Sequence, residues 1–184
     1  SLAIIGGLLA GAPVHHQGTW YQIDGLDLDV LPGRRGGPRL LIGAGGPRML
    51  RVAARHADIV GLLPAPIRGA DEGDDPLGRM PAALESKLAV LRSAAGDRFG
   101  RLELSAFGTF SITDRRRSVT EELIARRGWG GIDAGDVWQM PTIFIGSTAQ
   151  IREDLQARRE RFGLSYLITP DRELPTLAAI IAGS

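Results

Sequence analysis

Residues 39–50 read RLLIGAGGPRML. The apolar run Leu40–Ile42 stops at Gly43-Ala44-Gly45-Gly46, and Pro47 then opens an amphipathic pattern. A short apolar run bounded by glycine reads as a buried strand, and proline suits the first helical position because that N–H has no intrahelical partner. The segment therefore predicts a strand handing over to a helix. Its bare loop has two physical explanations. Either glycine is needed for positive φ, which it alone enters without steric cost, or a ligand comes close to the backbone, as a phosphate does at the free N–H groups of a helix start.

Outward from this loop the same unit recurs. The helix over 47–57 carries Met49, Ala53 and Ala57 at helical spacing with Leu50 and Ala54 beside them, and puts Arg48, Arg51 and Arg55 on its wet side. Asp58 opens a continuous apolar strand to Leu63, the pattern of a parallel strand buried on both faces. A mobile loop is predicted over 64–81 from its proline, glycine and acidic content. A helix over 82–95 follows, with Leu84, Leu88 and Leu91 on one face. Leu102–Ile112 is the third strand, and Val119–Arg127 a helix. After a tryptophan-bearing connection over 128–140 and an extended stretch over 142–145, Ser147-Thr148-Ala149-Gln150 matches a capping box and starts a helix to Arg161. Ser165–Thr169 is the fourth strand and Leu174–Ala182 the closing helix. Ahead of all this, Leu2–Leu9 reads as the last turns of a helix and Thr19–Ile23 as a short strand. Strands alternating with helices imply a parallel sheet.

Composition narrows the classes. A chain of 184 residues with 43% apolar content can bury a core of its own. Its net charge of +1 points to neither a nucleic acid nor a membrane surface. Without cysteine there is no disulfide, thiolate nucleophile or thiolate metal site, which suits a cytoplasmic protein. Lys87 is the one lysine among many arginines, a bias of coding composition.

Two parallel architectures compete. A dinucleotide-binding doubly wound sheet requires G-x-G-x-x-G at the first helix and an acid at the end of the second strand. Here the third glycine position is Arg48, and Asp58 begins its strand. The alternative is a (β/α)8 barrel, which takes about 250 residues for eight units; four units make half of one.

Three segments carry a family resemblance: LLAGAPVHHQGTWYQIDGL from Leu8, PRLLIGAGGPRMLRVAARHADIVGLLP from Pro38, and IFIGSTAQIREDLQARRERFGLSYLI from Ile143. In order and spacing they resemble the C-terminal portion of the luciferase-like monooxygenase superfamily, and within it the oxidoreductases that use the deazaflavin coenzyme F420. The resemblance implies a TIM (β/α)8 barrel of the bacterial luciferase-like type, represented over 1–184 by its C-terminal half, barrel strands five to eight, with the N-terminal half absent. It implies hydride transfer between F420 and a small organic substrate. FMN-dependent monooxygenation is the alternative, and a non-catalytic cofactor- or partner-binding fragment is the reading from another class.

Most residues that hold the ring or act as acid and base are expected in the absent half, so no catalytic residue is carried over and this chain alone is expected to be inactive. What carries over is the loop after barrel strand five, Gly43, Ala44, Gly45 and Gly46, expected beside the cofactor's ribityl phosphate end. Relatives often place hydroxyl or basic residues just after strand six; here that stretch is Leu63-Pro64-Ala65-Pro66. The expected partners are the missing half-barrel or a second copy of the chain, covering the open edges at 39–43 and 165–169. The histidines His15, His16 and His56 read as surface or packing residues, with no metal site expected. Arg115-Arg116-Arg117 reads as a solvated helix start, and Trp129 and Trp138 as packing.

Overall fold

The computed structural model describes residues 1–34, 36–64 and 75–182. The chain forms two compact units, Ser1–Leu40 and Leu41–Ser184. The first holds helix α1 (Leu2–Leu9) and an antiparallel hairpin of β1 (Val14–Gln17) and β2 (Gln22–Leu26). The strand expected at Thr19–Ile23 starts later, because Gly18 N–H donates to Tyr21 O at 2.9 Å and closes the turn there. Trp20 falls at the tip and is 88% exposed.

The second unit is an α/β fold with parallel sheets. Its order is β3 (Leu41–Ala44), α2 (Pro47–His56), β4 (Ile59–Leu62), α3 (Pro81–Ala95), β5 (Glu103–Phe107), β6 (Thr109–Ile112), α4 (Arg116–Arg127), α5 (Ala134–Gln139), β7 (Ile143–Gly146), α6 (Thr148–Phe162), β8 (Leu164–Ile168) and α7 (Leu174–Ile181). Strands β3, β4, β5 and β8 lie side by side in that order, all parallel, while β6 and β7 form a separate parallel pair.

The third expected strand, 102–112, is two. At Gly108 the chain changes partner: Gly108 N–H donates to Ile168 O, the last residue of β8, and Thr109 N–H donates to Thr142 O ahead of β7, each at 2.9 Å. A Cβ on Gly108 would come within 2.7 Å of the Phe110 ring, which stacks on Phe144 at a centroid distance of 4.9 Å. The missing side chain lets the strand break there and tuck Phe110 underneath.

Local chemistry explains the helices. In α2 the buried stripe is Leu50, Ala53 and Ala54, with Ala57 just beyond it; Met49, expected on that face, is 43% exposed. Arg98 donates from Nη1 to Ala54 O at 2.9 Å and from Nη2 to Ala57 O, closing the C-terminal end of α2 with a cation. Helix α6 starts with both halves of the expected capping box: Ser147 Oγ accepts from Gln150 N–H at 3.2 Å, and Gln150 Oε1 accepts from Ser147 N–H at 2.9 Å. Ser147→Ala should cost about 1 kcal/mol, read as a lower urea midpoint at unchanged slope; no shift in the midpoint would count against the box.

Of the loop expected over 64–81, the described part from Asp75 is a 3-10 turn, Pro76–Arg79, capped by Asp75 and leading into α3 at Pro81. Residues 65–74 lie outside the described residues. Among the described residues no helix is long and apolar enough to cross a membrane.

Candidate functional site

Neighbouring residues in a strand point to opposite faces of the sheet, and parallel partners in register share a face. Ile42 and Ala44 of β3 are buried. Leu41 and Gly43 point the other way. Register carries that second face across the sheet through Ile59 and Gly61, then Glu103 and Ser105, to Tyr166 and Ile168. Leu41 is 41% exposed on it, Phe107 56% and Tyr166 42%. Within this sheet β3 and β8 are the edge strands.

The loop Gly43–Gly46 sits at the C-terminal end of β3 and opens α2. Gly46 is the N-cap of that helix and Pro47 its first residue. None of Gly43, Gly45 and Gly46 has positive φ; Gly46 sits at φ −100°, ψ 162°, where any residue is allowed. Turn geometry is therefore not why the loop is bare. Gly45 is small for packing: a Cβ there would lie 3.0 Å from Pro64 O and 3.5 Å from Leu63 O. Leu63 N–H donates to Ala44 O at 3.0 Å, so the end of β4 is fastened against the loop. Gly43 is near ordinary contact with Leu63 Cδ1 at 3.4 Å. Gly46 is different. Nothing lies within 4 Å of the position its Cβ would take, so the space over the start of α2 is open. The N–H groups of Arg48 and Met49, the second and third helical residues, have no intrahelical acceptor.

The structure brings to this end a residue that the sequence did not flag. Lys87 lies on α3, and its Nζ donates to Leu63 O at 2.7 Å, one residue before the Pro64 carbonyl that crowds Gly45. The stretch after β4 thus gains a cation from a helix 24 residues further on. Lys87, Arg79, Leu63, Pro64 and Thr142 line a small cavity of about 40 Å³. Burial, reinforced by the Arg79 charge, lowers the Lys87 pKa from its ordinary 10.5. Between that lowered value and 10.5 the unfolded chain holds a proton that the folded chain has released, so this residue makes stability rise with pH across that window. Urea melts from neutral to alkaline pH should show that rise for the native chain and a flatter profile for Lys87→Met; identical slopes would refute the assignment.

The remaining flagged residues take structural places. His15 Nδ1 lies 2.7 Å from Asp24 Oδ1 on the exposed hairpin, and His56 is exposed on α2. The basic run does start α4, with Arg115 and Arg117 exposed as expected, but Arg116 is not solvated: it packs its guanidinium 4.7 Å over the Trp138 ring and pairs with Asp154 at 2.7 Å. Arg158 also pairs with Asp154, at 3.4 Å, and donates to Trp138 O. Three-residue sequence windows cannot see this, because Asp154 arrives from α6. Trp138 Nε1 donates to Thr120 Oγ1 at 2.9 Å, and Trp129 is buried in the cluster with Leu123, Val137 and Met140.

Comparisons with known proteins bear on this arrangement. The luciferase-like monooxygenase family model matches residues 1–167. Among solved structures, the chain is similar to an F420-dependent secondary alcohol dehydrogenase in complex with an F420–acetone adduct, at 11% identity and a TM-score of 0.63, covering 91% of this chain and 53% of that one. It is similar to the coenzyme F420-dependent tetrahydromethanopterin reductase of Methanopyrus kandleri, at 17% identity and 0.59, covering 97% and 59%. It is also similar to a riboflavin lyase with modified FMN and riboflavin, at 13% and 0.64, covering 98% and 54%. The chain thus spans just over half the length of these solved relatives, and identities this low speak for the fold alone. No curated protein matches the sequence. With a family model matching all but its last residues, the chain belongs to the luciferase-like monooxygenase family.

Proposed function

We propose that this chain is the C-terminal half of a luciferase-like (β/α)8 barrel, β3, β4, β5 and β8 being barrel strands five to eight, and that the completed barrel transfers hydride between coenzyme F420 and a small organic substrate. Members of the family are oxidoreductases or monooxygenases. The observation that carries the reading is Gly46: open space over a helix start, at the C-terminal end of a parallel strand, where ligands of such barrels bind.

In this reading Gly46 leaves room for the phosphate end of the cofactor, and the N–H groups of Arg48 and Met49 with the positive end of α2 hold its charge. Lys87 offsets the carbonyls of the β4 end, which would otherwise repel an anion. Bound there, the deazaflavin supplies the hydride chemistry, and these residues bind and orient it. The ring and the substrate fall to the complementary half-barrel, the missing N-terminal half or a second copy of the chain, so this chain alone has no turnover. FMN is the second reading, favoured by the likeness to the riboflavin lyase with modified FMN. Titrating the assembly of this chain and its complementary half with F420 and with FMN tests both. Tight, saturable F420 binding supports the proposal, FMN binding alone supports the second reading, and binding of neither refutes the cofactor site.

A further inference from the structure

A second cleft lies beside β6, at the C-terminal ends of β5 and β8. It encloses about 630 Å³, within the size range of sites for small organic ligands. Its floor is where the chain leaves β5 and enters β6, with the Thr109 and Ser111 side chains on one strand face and Phe107 at the rim. Arg126 reaches it from α4 and Arg172 from the turn ahead of α7.

The charges in this cleft are unevenly satisfied. Glu173 is engaged: its Oε2 accepts from Phe110 N–H at 3.2 Å and from Thr169 Oγ1 at 2.8 Å, which ties the end of β8 to β6. Glu122 accepts from Ser118 Oγ at 3.2 Å. The guanidinium groups of Arg126 and Arg172 have no such partner among the described residues, although Arg92, Arg116, Arg117, Arg152, Arg158 and Arg161 each bond or stack against a neighbour. Two guanidinium cations and two hydroxyls thus line one cleft, and guanidinium binds an oxyanion in bidentate fashion. Phe107, more than half exposed, offers an apolar wall beside them.

We propose that this cleft binds a small organic oxyanion, a phosphate or carboxylate joined to an apolar or aromatic group, with Arg126 and Arg172 as its anchors and Thr109 and Ser111 as hydroxyl contacts. None of its anchors belongs to the glycine loop, so its binding test is read separately from the cofactor titration.

Titration of the full chain with phenyl phosphate, benzoate and benzyl alcohol, followed by calorimetry or NMR shifts, tests it. Saturable binding of either anion is expected, with benzyl alcohol bound much more weakly. Phenyl phosphate preferred over benzoate assigns the phosphate class, and the reverse assigns the carboxylate class. Arg126→Met and Arg172→Met should each weaken the preferred anion by about tenfold or more. Both side chains are exposed and have no partner among the described residues, so melting temperatures should hold and folding should not confuse the result. Arg51→Met, an exposed arginine on α2, should leave affinity unchanged. Failure of both anions to bind, benzyl alcohol binding equally well, or unchanged affinity in both cleft variants would overturn the proposal.

Discussion

Gly46→Val is expected to leave the fold nearly as stable as before and to weaken cofactor binding by the completed barrel about tenfold or more. Valine is allowed at φ −100°, ψ 162°, and its Cβ meets nothing within 4 Å. The stability cost is that of a poorer N-cap, no more than about 1 kcal/mol. The two methyl groups would fill the space over the first turn of α2, where the phosphate is proposed to lie, and shield the N–H groups that would hold it. Gly45→Val should behave in the opposite way. There the Cβ would stand 3.0 Å from a backbone carbonyl that cannot swing aside, so overpacking should destabilise the chain by about 1–3 kcal/mol with or without cofactor. A loss of binding in Gly45→Val is therefore ambiguous, whereas a loss in Gly46→Val at unchanged melting temperature is not. Equal cofactor affinity in Gly46→Val and the native assembly would reduce the loop to a plain connection.

The same loop shows how far the sequence could be read. That a strand handed over to a helix at Gly43–Gly46 was legible, because apolar run, glycine and Pro47 act locally. Why each glycine is there was not, because the answer lies in Leu63 and Pro64, which return to the loop only in the folded chain. The capping box of α6 was legible for the same local reason. The split of 102–112 at Gly108 was not, since it follows from a change of partner strand. Nor could the sequence place Lys87 on Leu63 O or Arg116 on Asp154, since each contact joins residues far apart in the chain. In α2 the stripe of Leu50, Ala53, Ala54 and Ala57 is buried as its spacing predicts, and Met49, at the edge of that stripe, is the one member left exposed.

Replacing Leu41 or Tyr166 with aspartate should abolish assembly with the complementary half and, with it, all turnover, while changing the stability of the isolated chain little. Both side chains lie on the sheet face that carries Gly43 and Gly61, and both are already more than a third exposed. They also stand on the two edge strands, β3 and β8, whose outer edges are free within this sheet to pair with further strands. In the proposed barrel that face becomes the interior, filled by layers of side chains from alternate strands. Burying a leucine or phenylalanine such as Leu41 or Phe107 contributes about 1.5–3 kcal/mol, and strand pairing at both edges adds to it. A lone carboxylate placed in that interior reverses the balance, since an unpaired buried charge costs several kcal/mol. Each 1.4 kcal/mol is a factor of about ten in the association constant, so one aspartate suffices. Analytical ultracentrifugation with the complementary half, or of the chain alone if a second copy completes it, would show complex for the native chain and a 19.7 kDa monomer for either variant. A native chain that stays monomeric under both conditions would refute the half-barrel reading at its root, because an exposed apolar face of this kind needs a cover.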